Sequence, residues 1–160
     1  MSWSDPVRVL TAALLLAAGG CGFAPAYGPG GTGGAFRGTI TVAEPMTDVE
    51  FAFVARLEDR LGRVDVPTYD LTYTLVTDEV GLAIDGSNAV TRFNLEGVLD
   101  WTLSRDGAAV QTGRETAFTG YSASGSPIST LESERDAERR LMVILADRVI
   151  ARLLAGDPAT

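Results

Sequence analysis

The chain has 160 residues, enough for one domain, and 46% of them are hydrophobic, enough for a real core. It carries 13 basic and 21 acidic residues, a net charge of −8, and every basic residue is an arginine. That balance excludes a general nucleic-acid binder, which needs a basic surface to neutralise phosphates. With no histidine and a single cysteine, His-based triads, imidazole metal sites, zinc sites and an intramolecular disulfide are also excluded. The sequence has no phosphate-binding glycine loop, nucleophile elbow or H-E-x-x-H helix. The expectation is a protein that is not an enzyme and needs no metal or cofactor.

The N-terminus reads as an export signal. Met1–Arg8 is polar with one arginine, and Val9–Ala18 is an apolar run of ten. Ten residues are too few to span a bilayer but suit the core of a signal peptide. Ala18-Gly19-Gly20-Cys21 follows and resembles the lipobox of bacterial lipoproteins, with Ala18 where that pattern prefers Leu. The resemblance implies diacylglycerol on the Cys21 thiol, cleavage just before Cys21, and acylation of the new N-terminus. Each buried CH₂ contributes about 0.8 kcal/mol to such an anchor. Gly22 follows the cysteine where Asp would imply retention at the inner membrane, so the resemblance points to the outer membrane. Phe23–Ala35 carries two prolines and five glycines and is expected to be a flexible tether. The expected organisation is 1–20 signal peptide, 21–35 lipidated cysteine and tether, and 36–156 folded domain.

Six elements are predicted in that domain. Phe36–Val42 is rich in β-branched residues and reads as a strand. A helix follows over Asp48–Leu61, with Thr47 and Glu50 as a capping box and Gly62 at its C-cap. Tyr69–Thr77 alternates Tyr69, Leu71, Tyr73 and Leu75 against Asp70, Thr72 and Thr74, and continues towards Val80–Ile84. Asp85–Asn88 is a turn. Val90–Ser104 puts Phe93, Leu95, Leu99, Trp101 and Leu103 on one face, with Arg92, Asn94, Glu96, Asp100 and Thr102 on the other. Arg105-Asp106-Gly107 signals a tight hairpin, and Ala109–Tyr121 returns antiparallel. A final helix is expected over Thr130–Leu154, capped by Ser129 and Glu132, with an Asp136–Arg140 pair and a Leu141, Leu145, Val149, Leu153 stripe.

The order is β-α-β-β-β-α. The apolar face of the sheet needs a cover, and two amphipathic helices supply it. The expected fold class is therefore α+β, a two-layer α/β sandwich. Its four-stranded, mostly antiparallel sheet carries both helices on one face. The first crossover can make one strand pair parallel. The other face is expected to be polar, presenting Thr, Asn, Glu, Asp and Arg.

Four stretches carry a resemblance: GCGFAPAYG at Gly20–Gly28, VTRFNLEGVLDWTL at Val90–Leu103, GRETAFTGYSAS at Gly113–Ser124 and ERDAERRLMVILADRVIARLL at Glu134–Leu154. In these, and in the order of its elements, the chain resembles the LptE family of lipopolysaccharide-assembly lipoproteins, in its alphaproteobacterial form. The resemblance implies an outer-membrane lipoprotein, lipid-anchored on the periplasmic leaflet through acylated Cys21. Its partners would be an LptD-type β-barrel, which it plugs and helps to assemble, and lipopolysaccharide, whose insertion at the cell surface it assists. A barrel lumen is polar, and so is the expected open sheet face. The alternative is a periplasm-facing, lipid-binding auxiliary lipoprotein of another envelope transport system, which would need an apolar cleft for an acyl chain.

Three positions stand out. Cys21 is the expected lipidation site. Arg92 and Arg114 lie on the polar sheet face and are candidates for lipopolysaccharide phosphates or acidic groups of the barrel, since guanidinium binds phosphate bidentately. The other reading makes each a cross-strand partner of Glu96 or Glu115. Trp101 alternates with Leu99 and Leu103 and belongs to the core. The Glu134–Arg140 run reads as a solvated helix face, or as a contact with a barrel wall.

Overall fold

The computed structural model describes residues 32–84 and 90–156. The signal segment, Cys21, most of the expected tether and the Asp85–Asn88 turn lie outside the described residues.

The first element is a short helix, α1 (Thr32–Phe36), where the sequence suggested the end of a tether and the start of a strand. The first strand, β1, is only Ile40–Val42. The cause is Gly38, whose φ of 71° no extended strand accepts. Its N–H donates to the Leu61 carbonyl at 2.8 Å, and its carbonyl accepts from Asp65 N–H at 2.8 Å. The chain therefore bends at Gly38, and Phe36 turns into the core, edge-on to Tyr69 with ring centroids 5.5 Å apart.

Helix α2 spans Asp48–Leu61, as the sequence predicted. The Thr47 hydroxyl accepts from Glu50 N–H, but the Glu50 carboxylate accepts from Met46 N–H at 2.8 Å, not from Thr47. The same carboxylate accepts the Tyr73 hydroxyl at 3.2 Å. The cap is thereby tied to the sheet. Phe53, Val54, Leu57 and Leu61 form the buried stripe of α2.

Strands β2 (Tyr69–Ile84), β3 (Val90–Arg105) and β4 (Ala108–Ser122) are long. The sheet order is β1-β2-β3-β4, with β1 parallel to β2 and the other pairs antiparallel. The expected α+β architecture is found. Asp106 and Gly107 close the β3–β4 hairpin with φ of 52° and 79°, the left-handed pair that matches strand twist.

The last helix, α3, spans Pro127–Ala155, starting three residues before the expected Thr130. Ser126, not Ser129, is the N-cap: its hydroxyl accepts from Ser129 N–H at 3.2 Å. Pro127 then takes the first helical position, where its missing donor costs nothing. Glu132 pairs with Arg135 instead of completing a capping box. Asp136 and Arg140 do pair, at 2.9 Å.

The core lies between the helices and one face of the sheet. Leu141, Leu145, Val149 and Leu153 of α3 are fully buried against Leu71, Leu99, Trp101 and Leu103. Gly97 permits the approach: a Cβ there would sit 3.1 Å from Leu141 Cδ2 and Leu145 Cδ1. Helix α2 joins α3 through Arg56, whose Nε and Nη2 donate to the two Asp147 oxygens at 3.0 and 3.1 Å. Phe53 of α2 packs on Tyr73, centroids 4.9 Å apart. Strand β1 pairs only with Tyr69–Leu71, so the rest of β2 keeps one open edge. From Val76 to Leu82 every β2 residue is exposed.

Candidate partner-binding face

The face of the sheet away from the helices is built as cross-strand rows. Counting from the β3–β4 hairpin, Thr72, Thr102 and Thr112 stand side by side, then Thr74, Asp100 and Arg114. Val76, Val98 and Thr116 come next, then Asp78, Glu96 and Phe118. Val80, Asn94 and Gly120 follow, and Arg92 lies opposite Ser122 at the far end. The first two rows line a shallow depression of about 490 Å³. Its walls are hydroxyls and one ion pair, a surface that hydrogen-bonds and carries little apolar area.

That ion pair is Asp100–Arg114. Arg114 Nε and Nη2 donate to the two Asp100 oxygens at 2.7 and 2.8 Å, a bidentate fork across β3 and β4. The bonds from Arg114 hold the Asp100 carboxyl below the ordinary carboxylate range. Neither carboxylate suggested by the sequence is the partner. Glu96 accepts from Asn94 Nδ2 at 3.0 Å. Glu115 points to the helix side, buried, with Arg152 Nε at 3.4 Å.

Arg92 and Arg114 share a face but not a site. Arg92 lies eight β3 positions from Asp100, the residue opposite Arg114, so roughly 26 Å separates their rows at about 3.3 Å per residue. Among the described residues Arg92 has no ion pair and is exposed. Of the two, Arg92 is the one whose guanidinium is open to a ligand.

The polar description of this face needs one correction. Val76, Val80, Val98 and Phe118 also project from it, Phe118 with 69% of its surface exposed. Phe118 was legible in outline. The alternation of Glu115, Ala117, Thr119 and Tyr121 on the inner side forces Phe118 outward. Trp101 belongs to the core as expected, 2% exposed. Among the described residues its indole N–H has no hydrogen-bond partner.

On the helix side, the distal end holds a cluster that sequence reasoning missed. The Tyr121 hydroxyl donates to Glu79 at 2.7 Å, and its ring stacks on Phe93 at 5.2 Å. Burial, then Glu79, pushes the Tyr121 hydroxyl well above its ordinary pKa. Glu138 of α3 is also pushed up, by burial and then by Glu134. This cluster ties β2 to β4 across β3. Among the described residues no group of His, Cys, Asp or Glu is placed to hold a metal ion. No described helix is long and apolar enough to cross a membrane.

A four-stranded mixed sheet covered on one face by helices, with its core between the two layers, makes this a small two-layer α+β domain. The chain belongs to the LptE family, lipopolysaccharide assembly, whose model matches residues 38–153. It is therefore a lipopolysaccharide-assembly lipoprotein of a non-enzymatic, outer-membrane-associated family that works with LptD and lipopolysaccharide. Solved structures agree in fold. A lipoprotein structure from Caulobacter crescentus is 20% identical, with a TM-score of 0.65, covering 79% of this chain and all of that one. The rare lipoprotein B of Shewanella oneidensis is 11% identical at a TM-score of 0.57, covering 73% of this chain and 92% of its own. A minor lipoprotein from Acinetobacter baumannii is 15% identical at 0.55, covering 73% and 89%. No curated protein matches the sequence.

Proposed function

We propose that the domain sits inside an LptD-type β-barrel as its plug, supports the assembly of that barrel, and assists lipopolysaccharide insertion at the cell surface. Membership of the LptE family over residues 38–153 is the observation that carries this reading. The physical fit is the open sheet face. A barrel lumen is lined by polar side chains, and rows of threonines with a bidentate Asp–Arg pair offer it hydrogen bonds.

In this reading residues 1–20 are removed, and Cys21 carries the acyl chains that hold the protein in the periplasmic leaflet. The glycine-rich stretch that follows gives the domain reach into the barrel. Arg92, exposed on the open face, would be the group that meets a lipopolysaccharide phosphate. Arg114 is held by Asp100 and serves the face as a neutral, hydrogen-bonding pair.

The test is recovery of the tagged full chain from detergent-solubilised outer membranes, with mass identification of what accompanies it. A co-purifying barrel of the LptD type is expected. Recovery of the chain alone would overturn the plug reading. In the same cells Cys21→Ala should move the protein from the outer-membrane fraction to the soluble periplasm.

A further inference from the structure

On the open sheet face, Asp78 of β2 lies directly opposite Glu96 of β3. Like charges in directly opposed positions destabilise a sheet. Two rows away the fold neutralises an acid on this face, pairing Asp100 with Arg114. It does not do so here. Asp78 has no hydrogen bond or ion pair among the described residues, and Glu96 accepts only from the neutral Asn94 amide.

The surroundings of these carboxylates are apolar and open. Phe118 lies beside Glu96 on β4, and Val76 and Val98 face each other in the next row. Val76 and Phe118 are 62% and 69% exposed. Among the described residues the β2 edge alongside is unpaired, because β1 ends opposite Leu71. Contiguous exposed apolar side chains of this kind mark interaction sites. A cation brought onto it would meet two carboxylates on a surface that dehydrates when covered, where charge pairing is stronger than in water.

The chemistry selects the occupant. An anionic lipid headgroup is repelled by the two carboxylates. The chain's own segment between Cys21 and Gly31 has no basic residue to offer. A second copy docking through a two-fold axis would bring the same acids against themselves. We propose that Val76, Asp78, Glu96, Val98 and Phe118 form the docking surface for a wall segment of the partner barrel that presents an arginine or lysine between apolar side chains. This rests on the plug reading above.

The experiment uses the full chain in outer membranes. Asp78→Arg combined with Glu96→Arg should lower the recovered barrel by about tenfold, because like charges brought together across an interface cost several kcal/mol. Glu58→Arg, on the solvent side of α2 and away from the sheet face, should leave recovery unchanged. A photo-crosslinking benzoylphenylalanine at position 118 should attach to the barrel. All the altered side chains are exposed, and thermal unfolding of each variant verifies its fold. If the wild-type chain recovers the barrel and the double variant recovers it equally, the docking surface is overturned and the plug reading stands. A crosslink from position 118 only to lipid or to a second copy overturns it equally. If the wild-type chain recovers no barrel, both fail.

Discussion

The indole of Trp101 lies directly over the backbone of Gly113, its cross-strand neighbour on the helix side of the sheet. A Cβ at residue 113 would stand 2.6 Å from ring atoms Cε2 and Cζ2. The largest core side chain of β3 is therefore housed by an absence on β4. Gly113→Ala should destabilise the domain by about 1–3 kcal/mol, the usual cost of overpacking. Trp101→Phe removes most of the clash and the unpartnered indole N–H. The double variant should be more stable than the sum of the two single losses implies. Urea unfolding followed by circular dichroism measures both, and strict additivity would refute the contact.

The start of α3 is the second point. Ser126→Ala removes the acceptor for Ser129 N–H and should cost about 0.5–2 kcal/mol. Ser129→Ala leaves that acceptor in place and removes a side-chain bond inside the first turn, so its cost should be smaller. The order of the two losses, read from denaturant midpoints, decides which serine caps the helix.

Much of this architecture was written in the residue pattern. Helix α2 was legible to the residue because Thr47 and Gly62 bracket a clean apolar period. The β3 strand was legible because Leu95, Leu99, Trp101 and Leu103 leave no other face to bury. The departures have local causes. Gly38 at positive φ cuts short a strand whose β-branched residues promised more, and Ser126-Pro127 starts a helix earlier than a Ser-x-x-Glu motif suggested. The candidate site was half legible. Alternation placed Arg92, Arg114 and the threonines on one face. It turns Glu115, the strand neighbour of Arg114, to the other face, but it could not choose between Glu96 and Asp100, which share the face with Arg114, because only register does. Val76 and Val98 stayed hidden because they serve no core, and although alternation turns Phe118 outward, the expected polar face assumed every outward residue answers to water.

Tyr73 gives a pH prediction. Burial, reinforced by the Glu50 carboxylate that accepts its hydroxyl, pushes its pKa up to about 12 from an ordinary 10. The folded state thus favours the neutral phenol. Its stabilising contribution is complete below pH 10 and is lost as pH rises through about 12. Tyr73→Phe removes this dependence. The stability of the wild type relative to Tyr73→Phe should therefore decline between pH 10 and 12. Tyr121, shifted in the same direction beside Glu79, still titrates in the variant, so the variant's own alkaline loss is reduced and not abolished. Parallel stability curves for the two proteins across that window would refute the assignment.

The two arginines of the open face should separate in function. Arg114 already gives Nε and Nη2 to Asp100, and a phosphate would have to displace a carboxylate to use them. Arg92 has no such competitor among the described residues. A hydrogen bond to a charged group contributes about 1.5–3 kcal/mol, which is roughly tenfold or more in affinity. Arg92→Ala should therefore weaken lipopolysaccharide retention by the purified protein about tenfold, while Arg114→Ala changes it less than about twofold. Asp100→Asn supplies the converse. It loosens Arg114 by removing the charge that holds it, and should raise the contribution of Arg114 to retention at low salt. Retention is read with labelled lipopolysaccharide on immobilised protein. Equal losses for Arg92→Ala and Arg114→Ala would mean that the Asp100 pairing does not decide which arginine meets the ligand.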